Sequence, residues 1–214
     1  MPVNVSARRA PAYDPPMPEG LVGGGALFEI DGDVAVPSEL TRGPWDPRAM
    51  HGGPPAALLA RAVEQCDLGP ADFLARLTVE LLRPVPLEPL RISVRTLRPG
   101  KMVHWIEAIA SVGDIEVARA LGLRLRTGAD SPVAAPPTDP FPGPDAGTTV
   151  DLDPNMVRGI GFWNANAIRM VSGVFGAAGP GGAWIRLTVP YWLEPWLGTG
   201  RSWRSCRGPR SSRS

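Results

Sequence analysis

A histidine, two glycines and two prolines stand where a polar turn meets an apolar segment, and together they could polarise an oxygen atom. The segment is His51-Gly52-Gly53-Pro54-Pro55, and the apolar run that follows predicts a helix from about residue 54 to 66. Proline suits the first helical turn because its missing N–H would be unpaired there. The glycines allow close approach to the backbone, and a helix start carries free N–H groups and positive dipole charge. This arrangement suits a phosphate, or the oxygen of a carbonyl under attack.

We predict that Gly52 and Gly53 bind such an oxygen through their backbone amides and that His51 orients the ligand or caps the turn. For all three residues the alternative is a purely structural role in the turn. Asp46 lies shortly before the turn, where it could serve as a carboxylate base or simply belong to the turn.

Five further side chains lie beside this turn or on the strand predicted after the helix. We predict that they contact the bound molecule: Trp45, Met50, Pro54, Thr78 and Glu80. Thr78 and Glu80 lie in a strand whose two faces alternate, so either could face a cleft. Solvation at the sheet edge is the alternative for both.

The composition of the 214-residue chain is that of a globular protein, with 43% hydrophobic residues. Its apolar runs are too short to span a bilayer, and its first residues contain no apolar signal core, so we expect a cytoplasmic protein without a membrane span. Two cysteines and two histidines without metal-ligand spacing predict neither a metal site nor any cofactor.

The charge is nearly balanced, with a formal net charge of +1, but it is unevenly distributed. Residues 198–214 contain five arginines and no acidic residue. Such a tail could contact nucleic acid or a membrane surface, but we interpret it as a solvated, disordered segment and expect no nucleic-acid partner.

Hydrophobic periodicity predicts one strand, one buried helix and then a run of antiparallel strands, which is an α+β layout in which the sheet wraps the helix. Alternation predicts strands over 26–36, 74–82, 90–97, 102–112 and 115–126. We predict a disordered N-terminus (1–25), a first unit (26–127), a proline-rich linker (128–155), a partial second unit (156–190) and a disordered arginine-rich tail (191–214).

Three stretches resemble the acyl-CoA thioesterases with a double hotdog fold, the branch related to acyl-CoA thioesterase II. The stretches are residues 50–61, which begin with Met50-His51-Gly52-Gly53, residues 76–84, which end in Leu-Arg-Pro, and residues 183–187. The resemblance implies two hotdog units, of which the second is incomplete here, and a site between their helices. It also implies an acyl-CoA partner, a role in lipid metabolism and assembly into a homo-oligomer.

By this resemblance the Gly52-Gly53 turn would polarise the thioester carbonyl, and an Asp on the second unit's helix would activate water. The sequence departs from the family pattern there, because no Asp follows Asp153 and no helical pattern follows Pro190. Two hypotheses therefore remain open. The chain is an acyl-CoA thioesterase whose base comes from elsewhere, or it is an inactive hotdog remnant that binds acyl groups or dimerises.

Overall fold

Two β-sheets and one α-helix make up the part of the chain that the computed structural model describes, residues 25–66, 72–126, 141–151 and 159–193. The first sheet has seven strands, and the second has three. The predicted disorder of residues 1–24 and of the tail beyond residue 193 concerns segments outside the described residues, as does most of the predicted linker.

The alternating segments form the large sheet, in the order β10-β1-β2-β4-β5-β6-β3. The bounds are β1 Phe28–Asp31, β2 Val34–Pro37, β3 Asp72–Leu81, β4 Leu90–Arg98, β5 Val103–Val112, β6 Ile115–Arg126 and β10 Trp192–Leu193. Two hairpins turn at glycines with positive φ, Gly32 between β1 and β2 and Gly113 between β5 and β6. The predicted α+β layout is confirmed. The segment 26–36, predicted as a strand, forms the hairpin of β1 and β2, and the other predicted strands of the first unit are present.

The helix α1 spans Gly53–Glu64, close to the prediction. The two prolines lie in its first turn, and Gln65 is its C-cap residue. Its buried face packs against β3, β4, β5 and β6 in one hydrophobic core. The helix residues in that core are Leu58, Leu59, Ala62 and Val63.

Small residues on β6 let the sheet approach α1 closely. Ala118, Ala120 and Gly122 alternate along the strand on the side facing the helix, and all are buried. A Cβ atom at Gly122 would collide with Val63 Cγ1, so the glycine is required sterically here. Because the fit is close-packed, a single added methyl group would have to displace the helix.

The C-terminal end of α1 is closed by a buried cation from the same strand. The Arg124 guanidinium donates hydrogen bonds from Nη1 to the carbonyl oxygens of Cys66 and, at 3.5 Å, Val63. The last carbonyls of a helix lack partners within the helix and carry negative dipole charge. Arg124 supplies both a hydrogen-bond donor for these carbonyl oxygens and a positive charge opposite the dipole.

The small sheet is formed by β7 Thr148–Thr149, β8 Asn166–Ser172 and β9 Gly182–Leu187 in that order. Strand β7 lies inside the segment predicted as an unstructured linker, because its two residues pair with Met170 and Arg169 of β8. A groove of about 590 Å³ runs along this sheet. No α-helix covers the small sheet within the described residues.

Strand β10 extends the large sheet from a distant part of the chain. It pairs with β1 in parallel, Phe28 opposite Trp192, and the N–H of Leu27 donates to the Pro190 carbonyl oxygen at 3.0 Å. The sheet is therefore antiparallel except at this edge. Residues 191–193, predicted to begin the disordered tail, are ordered because these backbone hydrogen bonds and the half-buried side chain of Tyr191 hold them.

Candidate functional site

The loop before α1 is held in place by backbone hydrogen bonds on both sides of His51. The N–H of His51 donates to the Thr41 carbonyl oxygen at 2.8 Å, and the N–H of Met50 donates to the Val85 carbonyl oxygen at 2.8 Å. Thr41 and Met50 are themselves buried. The position of the imidazole at the helix start is therefore fixed by the core.

His51 caps the first turn of α1 with its side chain. The N–H of Gly53 donates to His51 Nδ1 at 3.1 Å. Burial lowers the pKa of His51 below its usual value of 6.5, which favours the neutral ring that can accept this bond. Pro54 and Pro55 have no N–H, so the expected row of free amides is reduced to that of Gly52, which has no acceptor in the described ranges.

Aromatic rings from two parts of the chain enclose the imidazole of His51. The Trp45 ring stacks on it with centroids 5.5 Å apart and planes at 19°, and the Phe162 ring stacks on it at 4.8 Å and 24°. Trp163 presents its edge at 6.3 Å. Phe162 and Trp163 belong to a 3₁₀ turn, Phe162–Ala165, that leads into β8 of the small sheet. The site thus lies between helix α1 and the 3₁₀ turn that precedes β8 of the small sheet.

The two glycines at the helix start are needed for space. Neither Gly52 nor Gly53 has a positive φ. A Cβ atom at Gly52 would lie 2.9 Å from Leu81 Cδ1, and one at Gly53 would lie 3.2 Å from Phe162 Cε1 and from His51 Nδ1. The close approach that the glycines allow is therefore used by these neighbouring side chains in this structure.

Tyr191 binds the same turn from the other side. Its hydroxyl donates to the carbonyl oxygen of Pro54 and, at 3.4 Å, to that of Gly53. Burial raises the pKa of the Tyr191 phenol far above its ordinary value, so the hydroxyl keeps its proton. The helix start is fixed both by His51 on its N–H side and by Tyr191 on its carbonyl side.

The segment around the helix start is similar to a known protein family. Residues 41–125 match the family model described as the acyl-CoA thioesterase N-terminal domain. This segment is similar to the acyl-CoA thioesterase N-terminal domain. The matched segment runs from Thr41 to the end of β6 and so includes His51, both glycines and all of α1.

Solved structures show that the chain has the hotdog fold. A hotdog-fold protein of unknown function from Alicyclobacillus acidocaldarius has a TM-score of 0.56 at 15% identity, over 77% of this chain and 61% of that chain. A candidate thioesterase from Novosphingobium aromaticivorans has a TM-score of 0.54 at 19% identity, over 76% and 65%. The chain thus spans less than two thirds of each structure's length. No curated protein sequence matched the chain.

The predicted contact residues fall into three groups. Trp45 is 79% exposed and stacks on His51, at the site. Met50 and Pro54 are buried beside it and shape its floor. Thr78 and Glu80 are exposed and pair with Leu121 and Arg119, on the face of the large sheet away from α1. The structure therefore does not bring Thr78 and Glu80 together with His51.

The candidate carboxylate Asp46 is held by a neighbouring arginine in this structure. Arg48 donates to it from the backbone N–H at 2.9 Å and from the guanidinium at 3.2 Å. These hydrogen bonds lower the pKa of Asp46, which makes the carboxylate a weaker base.

No cluster of three or more His, Cys, Asp or Glu residues that could hold a metal lies within the described ranges.

Sequence reasoning missed Phe162 and Tyr191, two residues that complete the helix start. Both are far from His51 in sequence, and neither belongs to a periodic pattern that points to the site. The one available signal in the sequence is the aromatic pair Phe162-Trp163. None of the described helices is long and apolar enough to cross a membrane.

Proposed function

We propose that this chain binds acyl-CoA thioesters at the start of α1 and hydrolyses them. The observation that carries this proposal is the start of α1, inside the segment that matches the thioesterase family model. There the backbone N–H of Gly52 has no acceptor among the described residues, and the imidazole of His51 is fixed beside it. A carbonyl oxygen that gains negative charge during hydrolysis is stabilised by such preorganised donors. Water attacks the thioester carbon, a general base takes its proton, and the coenzyme A thiol leaves.

Trp45, Met50 and Pro54 would contact the ligand next to the reacting carbonyl in this proposal. Trp45 offers an exposed aromatic face, whereas Met50 and Pro54 support the site from within the core. Thr78 and Glu80 face away from α1, so they would reach a bound ligand only across an interface with another subunit.

A second candidate function, binding without turnover, is favoured by a specific observation. The N–H of Gly53, which sequence analysis assigned to the thioester oxygen, already donates to His51 Nδ1. In addition, the Phe162 ring lies against Gly53. A site closed in this way could hold an acyl group without stabilising its tetrahedral intermediate.

Hydrolysis of a medium-chain acyl-CoA distinguishes the two functions. Purified chain is mixed with octanoyl-CoA, and the released thiol is followed with a thiol-reactive dye. Under the enzyme proposal the protein releases coenzyme A and the Gly53→Val variant loses turnover, because its side chain would collide with Phe162 and His51. The matched control is Gly143→Val, at an exposed glycine whose Cβ position is open.

The outcomes separate cleanly. Thiol release by the native chain and by Gly143→Val, but not by Gly53→Val, supports hydrolysis at the helix start. Octanoyl-CoA binding measured by calorimetry without thiol release supports the binding function. If the chain neither binds octanoyl-CoA nor releases its thiol, both functions are contradicted.

We also propose that the chain forms a homo-oligomer through strand β3. Within the described residues, strand β3 is an edge of the large sheet that pairs with β6, and Phe73 on it is 49% exposed. An unpaired edge with exposed apolar side chains is a template for pairing with another strand. Light scattering after size-exclusion chromatography measures the oligomeric state. We expect Phe73→Lys to shift the protein towards the monomer, and a monomeric native protein would contradict the proposal.

A further inference from the structure

Within the proposed function, the helix start lacks one of the two donors that a developing oxyanion requires. Pro54 and Pro55 supply none, and Gly53 donates to His51, which leaves the Gly52 amide. We propose that Nε2–H of His51 is the second donor to the thioester oxygen, and that Phe162 and Trp45 are the positioning residues that hold the imidazole for this role.

The hydrogen bond from Gly53 decides which nitrogen of the imidazole carries the proton. A backbone N–H can donate to Nδ1 only if Nδ1 is unprotonated, and a neutral imidazole with a bare Nδ1 has its proton on Nε2. Nε2 has no acceptor among the described residues, and it is not among the buried polar atoms that lack a partner. Its proton is therefore available to an acceptor that a ligand brings to the helix start.

The two flanking rings hold the plane of the imidazole. Trp45 and Phe162 stack on it at 19° and 24°, so rotation about the Cβ–Cγ bond would drive the imidazole into one ring or the other. Stacked aromatic pairs attract each other beyond the effect of the area that they bury. The direction in which Nε2–H points is thereby restricted.

Phe162 is itself fixed by backbone hydrogen bonds at both of its polar groups. Its N–H donates to the Arg42 carbonyl oxygen at 3.0 Å, and its carbonyl oxygen accepts a hydrogen bond from Asn166 Nδ2 at 2.6 Å. Arg42 pairs with Met50, the residue that precedes His51. A short chain of backbone contacts therefore sets the distance between the Phe162 ring and the imidazole.

Nitrogen-15 NMR of the histidine side chains tests the positioning directly and without a ligand. The His51 signals, identified by their loss in His51→Asn, are expected to show an unprotonated Nδ1 and a protonated Nε2, with a pKa below 6.5. Phe162→Leu removes the stacked ring, so the pKa of His51 rises towards 6.5 and the second tautomer becomes populated. Phe162→Tyr, which keeps the ring, retains the native signals.

Phe141→Leu is the matched control, since Phe141 contacts the Trp184 ring at a tilted angle, away from His51, and is 53% exposed. It is expected to leave the His51 signals unchanged. A proton on Nδ1 in the native protein, or native His51 signals in a folded Phe162→Leu variant, overturns the positioning role.

The donor role is tested by two substitutions that each keep one half of the imidazole. His51→Gln can place an amide N–H near the position of Nε2, whereas the shorter side chain of His51→Asn reaches only the position of Nδ1, where its carbonyl oxygen can accept the hydrogen bond from Gly53. With octanoyl-CoA as substrate we expect His51→Gln to keep kcat/KM within about tenfold of the native value and His51→Asn to lose about 10²-fold or more.

Equal losses in the two variants, or a greater loss in His51→Gln, overturn the donor role. If the native chain neither binds nor hydrolyses octanoyl-CoA, the proposed function fails and the donor role fails with it. The NMR measurement still decides whether Phe162 positions the imidazole, so the two failures are distinguishable.

Discussion

The backbone N–H of Gly53 donates a hydrogen bond to Nδ1 of His51, two residues earlier, across 3.1 Å. This hydrogen bond caps the start of the helix. It occupies the Gly53 amide, which the sequence predicts to bind the ligand oxygen. It also requires a neutral imidazole. The stability of the fold is therefore linked to the protonation state of His51.

We predict that acid destabilises the protein through His51. Because burial lowers the pKa of His51 in the folded state below 6.5, the unfolded chain binds the proton more tightly. The stability contributed by the neutral ring is complete above about pH 6.5 and is lost as the pH falls from there through the folded pKa.

Urea unfolding at about pH 8 and about pH 5 measures this effect. His51→Asn should lose less free energy of unfolding between the two pH values than the native chain. An equal loss in both proteins would show that His51 does not contribute to the acid sensitivity.

Removing the cation at the end of α1 should destabilise the fold. Arg124→Met keeps the bulk of the side chain but leaves the carbonyl oxygens of Cys66 and Val63 without this donor. We expect the free energy of unfolding to fall by about 1–3 kcal/mol. Arg126→Met, at an exposed position on the same strand, should change it by less than about 0.5 kcal/mol. Equal effects of the two substitutions would refute the capping role.

One added methyl group between α1 and β6 should be poorly tolerated. Gly122→Ala forces a Cβ atom against Val63, and overpacking of this kind costs about 1–3 kcal/mol. The double variant with Val63→Ala should be more stable than the sum of the two single effects, because the removed methyl groups make room. Gly143→Ala, at an open position, is the control. Strict additivity in thermal unfolding would argue against the contact.

The hydroxyl of Tyr191 should stabilise the helix start. Tyr191→Phe keeps the ring and removes the donor to the Pro54 and Gly53 carbonyl oxygens. We expect a loss of about 0.5–1.5 kcal/mol in chemical unfolding. The pKa of His51 measured by NMR should stay at its native value, because Phe162 and Trp45 remain in place. No loss of stability would mean that water replaces these carbonyl contacts.

The local part of this structure could be predicted from sequence, because alternation and turn chemistry act over a few residues. The hairpin at Gly113-Asp114 and the helix after Gly53 lie where their patterns indicate. The stacking of Phe162 on His51 could not be predicted, since it depends on how the small sheet packs. The pairing of β1 with β10 is equally non-local, and the segment after Pro190 has no periodicity that could signal a strand.

The roles of the glycines show a second limit. Their types correctly indicated a crowded backbone at the helix start, but sequence cannot tell whether a ligand or a side chain fills the space. Here Leu81 lies against Gly52, and Phe162 and His51 lie against Gly53. The same composition therefore fits an open amide pair and a closed one.

The pairing of Phe28 with Trp192 has a consequence for how the molecule is made. A ribosome releases β1 and the whole of α1 long before the strand that borders β1, so the closing of this loop is a late and entropically costly step. The helix start acquires His51 first, then Phe162, and Tyr191 last. We therefore expect the site to form in the direction of synthesis, with the helix start of the nascent chain exposed until β10 docks on β1.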